Sequence, residues 1–294
     1  MFKPQNPNIR FIYPGGSMFP LRRIAPVAPR HPFWWGCLLL ICLAFLPTSA
    51  PAARSGDLPD AELERIGRRI WQNECNGSVD GLTSWNTGED FASLGIGHFI
   101  WYPAGPKGPF EESFPMFVSY MQKNGGKVPA WISAAPHCPW PTKAAFQKDR
   151  NSDRAKELRI WLAATVKEQT RFIIQRLDQS TARMEAAAGK DAAKVRGNIA
   201  LLRLTAAGNF AMIDYVNFKG DGLNESERYK GEGWGLLQVL ITMRENASSA
   251  QQAPRAFADA AKIVLTRRVK NSPPERKEQR WLQGWLNRCE TYAR

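Results

Sequence analysis

Apolar and polar positions alternate with a helical period over most of this chain. Between Asp57 and Asn73, Leu63, Ile66 and Ile70 fall on one face, and Asp60 is a reasonable cap. A stronger amphipathic pattern runs from Ala155 to Leu177 through Leu158, Leu162, Val166, Gln169, Phe172 and Ile173. Further helical patterns cover 181–207, 208–217, 234–246, 254–270 and 275–292. Residues 85–102 break the rhythm: Phe91, Leu94, Ile96, Phe99 and Trp101 alternate loosely between Gly88, Gly95 and Gly97, which suits short strands and tight turns. Pro and Gly concentrate in 103–109 and 123–142, which predicts a long ordered loop region. The expected fold class is therefore mainly α with a small β-hairpin region (α+β). No internal repeat is visible, and the aromatic residues on the helices read as core.

The first 53 residues are of another kind. Arg22, Arg23 and Arg30 precede an apolar run of about a dozen residues within 33–46, followed by Ala50-Pro51-Ala52-Ala53, which is the pattern of a secretory signal peptide. A membrane span would need roughly 18 to 20 apolar residues. Residues 1–53 are thus expected to be a signal peptide or an uncleaved N-terminal anchor, with Met18 an alternative start. Residues 54–294 are expected to form a single domain with a helical C-terminal part. The expected location is periplasmic or secreted, with membrane contact only through the N-terminal segment. Cys42 follows the bulky Ile41 and so fits a lipid-attachment site poorly.

Charge narrows the partners. Removing 1–53 takes away Lys3, Arg10, Arg22, Arg23 and Arg30 and no acid, which lowers the formal charge from +13 to +8. Such an excess suits a cell-wall polymer or membrane surface, and export argues against nucleic acid; a merely solvated basic surface is the plain alternative. Cys75, Cys138 and Cys289 would permit one disulfide and a leftover thiol in an oxidising compartment. No cysteine or histidine spacing suggests a metal site, and no cofactor is expected.

Glu74 is the most informative residue. It lies four residues after Ile70, so it continues the buried face, where desolvation would keep a carboxyl neutral; a salt-bridged helix-end Glu is the plain alternative. Beyond it come Glu89, Asp90 and the run Ser93-Leu94-Gly95-Ile96-Gly97-His98. This arrangement resembles the phage-type lysozymes, which carry a helix-terminal catalytic Glu and then a short hairpin with an acidic residue and Thr-Ile-Gly-x-Gly-His. The resemblance covers about 25 residues. It implies a lysozyme-like helical domain acting on peptidoglycan or a related glycan. Glu74 would be the general acid, Glu89 or Asp90 the second acid, Ser93 a holder of water and His98 a structural residue beside a buried carboxylate. The interval from Glu74 to Ser93 is several residues longer than in that family, and neither Glu89 nor Asp90 matches the second acid's spacing.

Glu232-Gly233-Trp234-Gly235-Leu236-Leu237-Gln238 is similar to the Gly-Leu-Met-Gln segment of lytic transglycosylases, although Glu225 and Glu227 precede Gln238 by only 13 and 11 residues. Gln238 is therefore expected to face a glycan groove, and the plain alternative is a glycine-capped helix. Tyr215, Asn217 and Tyr229 would complete the binding surface, because aromatic faces stack on sugars and Asn bonds hydroxyls. A turn-capping Asn217 or Asp214 serves equally well. Cys75 and His98 could instead pair as nucleophile and base, with nothing else in support. Two other readings of the whole stay open: a non-catalytic envelope glycan-binding protein on the same scaffold, and an unrelated helical envelope protein.

Overall fold

The structure, a computed structural model, describes residues 58–294 apart from 109 and 244–248. The expected signal segment lies outside the described residues. Helix α1 (Asp60–Cys75) buries Leu63, Ile66 and Ile70 as the periodicity requires. It starts on Pro59 rather than on an Asp60 cap, and it ends where Asn76 adopts a left-handed conformation (φ 53°) and donates to Gln72 O. Gly67 lets α1 press against helix α6 (Val166–Ala187): a Cβ there would lie 2.4 Å from Thr170 Oγ1.

Strands β1 (Thr83–Ser84), β2 (Ala92–Leu94) and β3 (Phe99–Trp101) form an antiparallel sheet in that order, with Ser93 opposite Ser84 and Ile100. The strands are short because Gly88, Gly95 and Gly97 interrupt them. The turn between β2 and β3 is fixed by a side chain from α6. Gly95 has φ +72°, and a Cβ on it would meet Gln169 Oε1 at 2.2 Å. That same oxygen accepts a hydrogen bond from Ile96 N at 2.8 Å. Gln169, read in the sequence as part of a helix face, is fully buried and ties the hairpin to α6.

The region expected to be loop contains helices α2 (Phe114–Lys123), α3 (Ala130–Ala134) and α4 (Lys143–Asp149) beside or within it. Phe114, Phe117 and Trp161 make an aromatic cluster with Trp101 and Phe172, so burial overrides the local Pro and Gly. The strong 155–177 pattern is two helices. Helix α5 (Asp153–Ala164) stops at Thr165, whose Oγ1 donates to Trp161 O at 2.9 Å while Gln169 Nε2 donates to Leu162 O at 2.7 Å. Side chains satisfy the carbonyls that the break frees. Helices α7 (Ala192–Arg203), α8 (Ala206–Lys219), α9 (Leu236–Thr242), α10 (Ala253–Asn271) and α11 (Gln279–Glu290) complete the helical part, with a two-stranded hairpin of β4 (Arg228–Tyr229) and β5 (Glu232–Gly233) between α8 and α9. The fold is thus mainly helical with a small antiparallel sheet. Among the described residues no helix is long and apolar enough to cross a membrane.

Candidate functional site

Glu74 stands in the last turn of α1, on the wall of a groove between the β2–β3 hairpin, the end of α8 and the β4–β5 hairpin. Two adjoining cavities make up the groove, one of about 680 Å³ and one of about 340 Å³. They share His98, Ile100, Phe110, Asn217, Gly220 and Glu227. The larger one also has Glu74, Glu89, Ser93, Tyr229, Trp234 and Arg268 on its walls. Its volume lies in the range of small-molecule sites.

The carboxylate of Glu74 is fully engaged. Arg288 Nη2 donates to Oε1 at 2.6 Å, Asn217 Nδ2 donates to the same oxygen at 3.3 Å, and His98 Nδ1 lies 3.5 Å from Oε2. Where the buried face continuing from Ile70 was expected to keep Glu74 neutral, the structure has an ion pair, with both partners largely out of solvent at 10% and 13% side-chain exposure. A second carboxylate stands behind the guanidinium. Asp214, with no exposed surface, accepts from Arg288 Nε at 2.8 Å and Nη2 at 2.9 Å, from Tyr292 Oη at 2.7 Å and from Asn73 Nδ2 at 3.2 Å. Burial opposes the charge on Arg288, yet Asp214 and then Glu74 hold its pKa well above the ordinary value. The Tyr292 hydroxyl is pushed well up by burial and by Asp214. Arg288 therefore stays charged and bridges α1, α8 and α11.

His98 has φ +45°, a region that costs a non-glycine residue free energy. The kinked turn aims its ring between Glu74 and Cys75, whose Sγ is 3.6 Å from Nε2. The pairing considered from sequence is thus close in space, but its chemistry is wrong for a nucleophile. Burial and then the charge of Glu74 push the Cys75 thiol up to about 12, and Sγ donates to Gly81 O at 3.3 Å. Cys75, Cys138 and Cys289 are all free and buried, so the expected disulfide does not form.

Of the residues expected at the site, Glu74, Glu89, Ser93, Asn217 and Tyr229 line the groove. Glu89 is held within its own hairpin, its Oε2 accepting from Asn86 Nδ2 at 3.0 Å. Asp90 is exposed and lies off the groove wall, which removes it as second acid. Tyr215 is fully buried and its hydroxyl donates to Trp234 O at 2.8 Å, so it is a strut rather than a sugar contact. Gln238 turns inward as well: Oε1 accepts from Gly235 N at 2.9 Å and Nε2 donates to Gly222 O at 3.2 Å, the glycine-capped helix start that was the plain alternative.

Sequence reasoning missed Arg288, Lys219 and Glu227. Arg288 could have been found, because Trp285, Arg288, Cys289 and Tyr292 share one helical face and a cation on an apolar face needs a buried anion. Lys219 lines the larger cavity, with Nζ 3.6 Å from the Trp285 ring centroid and 4.0 Å from that of Phe218. Burial, then Arg268 and Arg288, lower its pKa well below the ordinary value. The sequence reading does not single out Glu227 as an acid of the groove. Burial and then Asp221 raise its pKa, against a smaller opposing effect of Arg268. Among the described residues no group of acidic, histidine and cysteine side chains could hold a metal ion. Comparison with protein-family models, with curated proteins and with solved structures finds no match for this chain.

Proposed function

We propose that this protein is an exported glycan-cleaving enzyme that acts on peptidoglycan, on a lysozyme-like scaffold, with Glu74 as the carboxylate on which proton transfer depends. The observation that carries the reading is the placement of Glu74 on the wall of the groove, oriented by Arg288, Asn217 and His98. A carboxylate held by donors at fixed positions is set for acid–base work, since its geometry costs nothing to arrange when substrate arrives. The surrounding wall combines aromatic rings (Phe110, Tyr229, Trp234) with amide and cationic donors (Asn217, Arg268), the mixture that recognises a sugar's apolar face and its hydroxyls. The +8 excess left after the leader favours an anionic cell-wall polymer as partner.

The ion pair between Arg288 and Glu74 also supports a second reading, a glycan-binding protein on the same scaffold without catalysis, because an ion pair of this kind is also a way to build the wall of a binding groove. The two readings separate on one test. The purified protein should release muropeptides from isolated sacculi, and Glu74→Gln should abolish release while still unfolding cooperatively. Binding to sacculi with no release by the unaltered protein, across several pH and salt conditions, would favour the second reading.

A further inference from the structure

Glycosidic cleavage with acid–base assistance ordinarily uses two carboxyl groups with different tasks and different environments. The hairpin acids expected for the second task are poor candidates: Asp90 is off the groove and Glu89 is bound within its own hairpin. Glu227 lies elsewhere in the sequence but on the same walls. It is one of the residues common to both cavities, so its side chain stands where the two arms of the groove meet.

The local structure holds Glu227 in place. Its amide donates to Asn224 O at 3.1 Å, and Asn224 Oδ1 accepts from Ser226 N and Oγ at 3.0 and 2.8 Å, which fixes the turn before β4. Tyr229, two residues on, is tied through its hydroxyl to Glu278, itself gripped by Arg268 at 2.8 Å from both Nε and Nη2. The carboxyl group rests over Gly220, where a Cβ would lie 3.3 Å from Oε2 and where φ is +77°. Among the described residues Glu227 has no ion-pair or side-chain hydrogen-bond partner, in contrast to Glu74, which accepts from Arg288 and Asn217. Its carboxyl is half-buried, and burial raises its pKa. Glu74 is thus ion-paired and Glu227 is not, a division that suits opposite roles.

We propose that Glu227 is the proton donor of the groove and that Glu74, held beside Arg288, is the proton acceptor. Resting on the glycan-cleaving reading, this divides between two residues a role given to one. The Glu227 carboxyl proton passes to the glycosidic oxygen, the C1–O bond breaks and its electron pair stays with the departing oxygen. A water oxygen bonds to C1 and its proton passes to the Glu74 carboxylate. Solvent then returns a proton to Glu227 and removes one from Glu74.

The test uses the full chain and two probes: isolated sacculi, and a 2,4-dinitrophenyl glycoside of an N-acetylglucosamine oligomer, whose phenolate departs without a proton. Glu227→Gln should lower release from sacculi by about 10²- to 10⁴-fold, the usual worth of a positioned acid. Its cleavage of the dinitrophenyl probe should fall far less, with an unfolding midpoint no lower than the parent's. Glu74→Gln should lose both substrates together. Glu227→Asp keeps a carboxyl one methylene short and should lose less than the amide, which covers the case of an amide that fails to fold. Wild-type release by Glu227→Gln, or an equal loss on both probes by a folded variant, would overturn the assignment and leave the glycosidase reading standing. Cleavage of neither probe by the unaltered protein would overturn both.

Discussion

A few side chains decide both the stability and the chemistry of this molecule, and Arg288 is the first of them. It neutralises Asp214, which has no exposed surface, and Glu74 at the groove wall. Removing one partner of a buried pair leaves the other charged and unsolvated, which costs about 3–5 kcal/mol. Arg288→Met should therefore lower stability by about that amount in urea titrations, and Asp214→Asn added to it should recover a large part. A loss below about 1 kcal/mol would mean that the cluster is not the buried network described here. Glu227 gives a second prediction, with a sign. Its folded pKa lies above the ordinary glutamate value, so in the window just above that value the folded state holds more protons than the unfolded one. Stability from this group is therefore full at low pH and falls as pH rises through the window. Glu227→Gln removes the fall: its unfolding midpoint should match the parent near pH 4 and exceed it above the window. A midpoint lower than the parent's at high pH would show that the carboxylate has a stabilising partner.

At the scale of elements, the hairpin turn depends on a helix far away in sequence. Gln169 of α6 accepts from Ile96 N and fills the space above Gly95. Gln169→Leu would leave that buried amide without an acceptor, a penalty of about 1–3 kcal/mol, and would let His98 drift from Glu74. Release from sacculi should fall while urea unfolding shows a loss in that range; unchanged activity with the expected loss of stability would separate the turn from the chemistry. The same elements show what was legible beforehand. The periodicity of Leu63, Ile66 and Ile70 predicts α1 and its buried face, and the Gly-Ile-Gly-His spacing predicts a tight turn. The break at Thr165 was not legible, because Thr165 and Gln169 look like ordinary helical residues until their side chains meet the freed carbonyls. Helix α2 was hidden between Pro- and Gly-rich stretches, where propensity is local but the packing of Phe114 and Phe117 is not. Tyr215 and Gln238 misled for a related reason: a polar atom that suits a sugar hydroxyl suits a backbone carbonyl or amide equally well, and the fold used them for that.

For the whole molecule, the described residues pack around one core whose aromatic cluster needs no covalent staple. All three cysteines in it are buried thiols, and burial pushes each of them up to about 12. Reductant should therefore leave the unfolding midpoint unchanged, and mass-spectrometric mapping should find Cys75, Cys138 and Cys289 labelled by a thiol reagent only after denaturant is added. Labelling of Cys75 in the folded protein would contradict its burial and revive the His98 pairing. The groove is also a whole-molecule product, since its walls come from α1, the three-stranded sheet, α2, α6, α8, the β4–β5 hairpin and α10, and the Arg288 that orients Glu74 comes from α11. Short motifs pointed to Glu74, Ser93 and His98, whereas Glu227 and Arg288 came into view only once distant segments were brought together. The most direct test is muropeptide release from isolated sacculi by the unaltered protein and by Glu74→Gln, each with its unfolding midpoint. Release by the first and none by a folded second is the predicted result; equal release by both, or none by either, would contradict it.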